Sequence, residues 1–303
     1  MYNLKLKKMK RIVLLIFAQL TIIGFLSSQE IQPFYDCGTV TGSIKTVKEK
    51  VKAQLKTNGF IVTGGYSVGG KSSTYVLTFT SKDLQRACLK VADRGILAAN
   101  LRVAFTLKSG KVNVSALNPK YLFLGYLRDS YTKYKADLDK ITAKAVKVFK
   151  SVSGKTTAFG GKIKESKLKK YHYMMGMPYF DDPVELKEFK SFNEAITTIK
   201  NNLKLKKANT KLVYKLEYKT LKKAVYGVAL LDKETGEANF LPKIGEKHLA
   251  AMPYEIVVEG NKATILHGRF RFAMYWPELT MGQFSKIMST PGDVEDTMKA
   301  LTK

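Results

Sequence analysis

The chain has 303 residues, 45% of them hydrophobic and 11% aromatic, which excludes a disordered polypeptide and is enough for two packed domains. Its formal charge of +27, from 52 Lys and Arg against 25 Asp and Glu, is more than solubility requires and points to polyanions or anionic surfaces. Lysine dispersed over solvated faces is the plainer account of the same excess, and it names no particular anion.

Residues 1–28 read as a secretory signal peptide: Lys5, Lys7, Lys8, Lys10 and Arg11, then the apolar run Ile12–Leu26, then Ser27 and Ser28. The run is shorter than the roughly 20 residues a spanning helix needs, so retention as an anchor is the second reading. The expected location is periplasmic or extracellular, with surface association. Cys37 and Cys88 are the only cysteines. After export they either close a disulfide or stay apart as two buried thiols, and the spacing leaves both open.

From residue 29 the chain divides into a first α+β repeat (29–150), a basic linker rich in Gly, Ser and Lys (151–180) and a second α+β repeat (181–303). In the first repeat a strand over Cys37–Gly42 leads into a helix over Ser43–Lys56, capped by Ser43. Strands over Phe60–Gly64 and Thr74–Thr80, a helix over Lys82–Asp93, a hairpin within Asn100–Leu124 and a helix over Asp129–Phe149 follow. The second repeat runs Pro183–Phe189 (strand), Ser191–Lys204 (helix), Leu212–Tyr218 and Val225–Leu231 (strands). Leu241–Ala251 takes the place of the middle helix, Pro253–Trp276 is the hairpin, and Thr290–Leu301 is the last helix. Ser43, Ile44, Val47, Val51 and Leu55 recur as Ser191, Phe192, Ala195, Ile199 and Leu203, each 148 positions on, a register that duplication produces. The fold class is therefore α+β, two pseudo-repeated units, each a curved antiparallel sheet with helices on one face.

The chain resembles a family of small bacterial domains, domain of unknown function 302, whose fold is similar to the halves of the TATA-box-binding protein. The likeness lies in the capped helix followed by Asn58-Gly59-Phe60, in Tyr75–Phe79 running into Ser81-Lys82, in Leu97–Val103, and in Val112–Leu122. Asn118 to Leu122 stands where the family carries an acidic residue before the proline, and Arg269-Phe270 occupies that place in the more divergent second copy. The resemblance covers roughly 36–128 and 182–303 and implies an architecture with no activity attached.

Gly65–Ser72 fits the phosphate-loop pattern, which needs a helix beginning at Lys71. The following Thr74–Thr80 alternates as a strand, so the stretch is read as a glycine-rich connection. Tyr171–Met177 groups His172 with three methionines. These are soft ligands for Cu(I), or a Met-rich contact plugging the gap between repeats, and the second is preferred. His248 and His267 lack metal-ligand spacing, and Asp181-Asp182, Glu234 and Glu237 sit at turns. No cofactor, metal or catalytic constellation is expected.

The expected function is a non-enzymatic binding module. Reading Gly268–Trp276 as a strand puts Arg269 and Arg271 on an outward face beside Arg102, Lys108 and Lys111, an anion-binding surface for lipid headgroups, an acidic glycan or an acidic protein. The alternative is a carrier of an apolar small molecule, held by Phe272, Met274, Trp276 and Met281. Nucleic-acid binding, by analogy of shape, ranks third.

Overall fold

The computed structural model describes residues 29–303, so the signal segment expected over 1–28 lies outside the described residues. The described chain is α+β, with two large antiparallel sheets, a two-stranded β1–β8 pair, and helices packed on the large sheets.

The first half begins with β1 (Glu30–Ile31) and β2 (Phe34–Thr41). Helix α1 (Ile44–Thr57) starts where expected because the Ser43 side chain accepts from the Thr46 N–H, and it buries Val47, Val51 and Leu55. Strands β3 (Ile61–Tyr66) and β4 (Thr74–Thr80) follow, then α2 (Lys82–Leu89), a buried 3₁₀ turn at Gly95–Ala99, and the hairpin β5 (Leu101–Lys108) and β6 (Lys111–Leu117). Helix α3 (Pro119–Leu127) and helix α4 (Ser130–Lys150) complete this half.

In the second half β9 (Val184–Glu188) leads into α6 (Phe192–Lys204), capped by Ser191, whose side chain accepts from the Glu194 N–H. Between the halves lie β7 (Thr157–Phe159), β8 (Ile163–Lys164) and α5 (Glu165–Leu168). After α6 come β10 (Thr210–Tyr218), β11 (Lys223–Leu230), α7 (Glu237–Ile244), a 3₁₀ turn at Glu246–Ala251, and the hairpin β12 (Tyr254–Glu259) and β13 (Lys262–Ile265). Helices α8 (Gly268–Tyr275), α9 (Met281–Phe284) and α10 (Thr290–Ala300) end the chain.

The sheet orders are β3-β4-β5-β6-β2-β7 and β10-β11-β12-β13-β9. Without β7 the two orders coincide strand for strand. Helices α1 and α4 lie on the first sheet, α6 and α10 on the second. The opposite faces are not solvated. The turn carrying Leu97, Ala98 and Ala99 packs on β11 and β12, and the turn carrying Leu249, Ala250 and Ala251 packs on β5 and β6. Methyl side chains at these turns let backbone approach backbone, so each half covers the other's helix-free face. The edges β3 and β10 also meet, where Gly64 has no side chain to strike the Val213 carbonyl.

The segment expected as a linker, residues 151–180, carries short elements and buried side chains of its own. β7 extends the first sheet by pairing with β2, β8 pairs with β1, and Ile163, Leu168 and Phe180 are buried. A Gly- and Lys-rich composition signals a loop, but three short apolar anchors suffice to tie it down.

Candidate functional site

Helix α8 is the first correction. Gly268–Trp276 alternates in polarity as a strand would, yet Gly268–Tyr275 is helical, with His267 Nδ1 accepting from the Arg269 N–H at 3.2 Å as its cap. Everything from Phe270 to Tyr275 is buried, and a helix enclosed all round carries no 3.6-residue polarity signature. Its counterpart α3 is the same: capped by Asn118, led by Pro119, and buried along nearly its whole length. The two helices meet between the halves. The hydroxyls of Tyr126 and Tyr275 are 2.8 Å apart, and the Tyr121 hydroxyl donates to the Met274 carbonyl at 2.6 Å.

The expected anion-binding face is the second correction. Arg102 is 0% and Arg271 2% exposed, and both pair with Glu255, itself 4% exposed. Arg271 also donates to the Ala251 and Pro253 carbonyls and lies 3.8 Å from the Tyr254 ring centroid. Arg102 donates to the Ala251 carbonyl at 3.2 Å and the Tyr275 hydroxyl at 3.3 Å. These guanidiniums point inward because the other half covers the face on which alternation places them. Lys108 and Lys111 are exposed partners at the β5–β6 turn, and Arg269 is exposed on α8. No common surface gathers the five.

The apolar set fares differently. Phe272, Trp276 and Met281 line one groove with Tyr173, Met174, Met177, Ala273, Leu279 and Phe284, and Arg269 stands among them as the only charged lining residue. The groove encloses about 80 Å³, room for an apolar side chain or the end of an alkyl chain. Met274 is not part of it; it is buried, with its methyl over Gly125 of α3. Trp276 is 1% exposed, stacked near Phe272 and His248.

The connecting segment supplies the rest. Tyr173 also lines a second concavity of about 710 Å³, together with Tyr171, His172, Pro277, Ile163, Glu30 and four exposed lysines, Lys162, Lys164, Lys167 and Lys170. One of the four has a carboxylate near it, with Lys162 Nζ 3.6 Å from Glu30. Residues 171–177 therefore form a strap with an apolar groove on one side and a lysine cleft on the other. Met174, Met175 and Met281 stand exposed by 49%, 95% and 61%. Met174 and Met177 line the groove and Met175 stands in solvent, while His172 lines the cleft and stacks on Tyr179, so they do not form one ligand cluster. Among the described residues no three His, Cys, Asp or Glu side chains are grouped to hold a metal ion.

A third cleft, about 640 Å³, lies between the halves and is lined by Arg128, Lys169, Lys170, Asp129, Asp181, Asp182, Tyr171, Tyr179, Phe180 and Phe270 among others. Its charges compensate one another: Arg128 pairs with Asp93 and, at 3.3 Å, with Asp181. Cys37 and Cys88 are buried and unbridged, and desolvation raises both thiols, Cys37 to about 12. The lysine cleft, Leu279 and Phe284 carry no signal in the sequence, since other parts of the chain complete both cavities; the Tyr171–Met177 stretch is their one visible sign.

No family model matches the chain, and the search of curated proteins returns no match. Among solved structures the chain is similar to an uncharacterized conserved protein, DUF302, from Bacillus stearothermophilus, at 18% identity and a TM-score of 0.31 over 37% of this chain and 94% of that one.

Proposed function

We propose that the protein is an exported, non-catalytic module that docks on an anionic lipid surface through the strap at residues 171–177. The observation that carries this reading is the shared lining: one short segment borders an apolar groove and a four-lysine cleft, and presents Met175 almost fully to solvent. Methionine and tyrosine side chains enter the headgroup–acyl boundary, the groove takes an alkyl segment, and the lysines face phosphates. Each such lysine contributes about 1 kcal/mol near an anionic leaflet. The groove is far below the roughly 300 Å³ at which pockets enclose a small molecule, which sets the carrier alternative behind surface docking. Among the described residues no helix is long and apolar enough to cross a membrane. We also read the chain as two diverged copies of one unit, supported by the coinciding strand orders and by the paired Tyr126 and Tyr275.

The test is co-sedimentation of residues 29–303 with vesicles of mixed phosphatidylglycerol and phosphatidylcholine, against phosphatidylcholine alone, at about 0.15 M salt. Expected is binding to the anionic vesicles that falls in Lys164→Glu/Lys167→Glu and, separately, in Met174→Ser/Met175→Ser. Equal binding to both vesicle types refutes the reading. Competition by a soluble acidic glycan with no effect of the methionine changes would transfer the site to a glycan.

A further inference from the structure

The glycine-rich stretch that fits a phosphate-loop pattern holds an acidic group, the carboxyl of Glu237 from the protein itself. In Gly65–Ser72 the segment Val68–Gly70 is a 3₁₀ turn with Gly69 at φ +60° and Gly70 at φ +72°, followed by a strand. The Gly69 N–H donates to Glu237 Oε2 at 3.1 Å, and the Tyr66 hydroxyl donates to Glu237 Oε1 at 2.6 Å. Glu237 is the first residue of α7, in the other half, and its third donor is the Leu230 N–H at 3.3 Å, at the end of β11. The carboxyl is 0% exposed. Beside it, Lys71 reaches across the same joint to Glu246 at 2.8 Å, and a side chain on Gly69 would press on Ala238 of α7. The stretch therefore holds the start of α7 at Glu237 and Ala238 and the turn just past its end at Glu246.

That helix leads to the groove. Phe240 of α7 packs edge-on against Phe272, with ring centroids 5.8 Å apart, and Phe272 lies 5.6 Å from Trp276. Both line the apolar groove.

We propose that Glu237 is a proton-operated latch between the halves, closed when its carboxyl is neutral and released when it ionises, and that release loosens the back wall of the groove. This rests on the groove being the docking site.

The sign follows from burial. Desolvation raises the Glu237 carboxyl from its ordinary 4.5 to about 7, against the opposing pull of the Tyr66, Gly69 and Leu230 donors and of Arg271. The titratable and charged groups that act on it are Tyr66 of β3, Tyr254 of β12 and Arg271 of α8; Arg102 of β5 acts on the bonded Tyr66, and Glu255 of β12 pairs with both arginines. Arg102 and Arg271 are held by Glu255, so neither is free to be a full counter-charge. In an opened joint water solvates the carboxyl and its affinity for a proton returns to the ordinary value. Closure is thus favoured while the proton stays on, and from about pH 6 to about pH 8 the opening equilibrium constant grows about tenfold before levelling off.

Hydrogen exchange of the amides in 65–72 and 237–244, corrected for the intrinsic pH dependence of exchange, reads the latch without lipid. Protection in the wild type should fall about tenfold across that range, with a break near pH 7. Glu237→Gln, a neutral analogue, should show no such break; if it does not fold, Tyr66→Phe should move the break to higher pH, because the carboxylate loses a donor. A flat wild-type profile, or the same break in Glu237→Gln, overturns the latch. The second arm is acrylamide quenching of Trp276. The part of its pH dependence lost in Glu237→Gln belongs to the latch, and the part that persists does not. A loop that responds while quenching in the wild type and Glu237→Gln stays parallel overturns the coupling to the groove. Failure to bind any vesicle would refute the docking reading alone, and the exchange arm would still decide the latch.

Discussion

Replacing Glu255 by Gln removes the one carboxylate that both Arg102 and Arg271 share in the interior. The side chains of all three are at most 2% exposed, so water cannot take over the lost role. Breaking a buried ion pair from one side costs about 3–5 kcal/mol, because a guanidinium is left desolvated and unpaired. Two residual supports lower the figure: Gln still offers one carbonyl oxygen, and Arg271 keeps its bonds to the Ala251 and Pro253 carbonyls. A loss of about 3 kcal/mol is therefore expected, a large share of the roughly 5–15 kcal/mol that holds a domain together. The assay is urea unfolding at neutral pH followed by the fluorescence of Trp276, the only tryptophan. The midpoint should drop with an unchanged slope. Glu185→Gln is the control: its partner Lys262 is half exposed, and its loss should stay below about 1 kcal/mol. A Glu255→Gln variant no less stable than that control would refute the claim that the two halves enclose these charges.

Two further outcomes follow from the packing. Gly64→Ala should destabilise by about 1–3 kcal/mol in the same titration, because a methyl there meets the Val213 backbone and the β3 and β10 edges must part; an unchanged midpoint would mean the edges are not in contact. Thiol reagents should leave Cys37 and Cys88 untouched in the native protein and label both in denaturant without prior reduction; labelling of neither in denaturant would reveal a bridge, and rapid native labelling would contradict their burial.

Much of the local architecture was legible. The Ser43 and Ser191 caps fix the starts of α1 and α6, and Thr74–Thr80 is a strand with the expected ends. These are signals within one element, where polarity or a cap hydroxyl acts on neighbours in sequence. What stayed hidden depends on the second half closing over the first. Alternation places Arg102 opposite the helices but says nothing of what covers that face, and a helix buried at every position but Arg269, as α8 is, shows no polar side from which to read its period. Three of the four residues expected to line an apolar pocket do converge, since large apolar side chains at a chain reversal have few places to go; Met274 is turned onto α3 instead. The lysine cleft is assembled from residue 30, residues 162–173 and Pro277, a proximity no spacing rule conveys.

The exchange of the two alanine-bearing turns has a bearing on how the chain comes to be folded. Each sheet borrows the cover of its inner face from a segment translated far from it, so the first half leaves the ribosome with Arg102 and its neighbouring strand face uncovered until residues 246–255 have been made. If the chain is exported as proposed, that delay would keep it without its final closure, and so threadable, until its second half is made. Severed within 151–180, the halves would be two incomplete shells, each complementary to the other and adhesive alone.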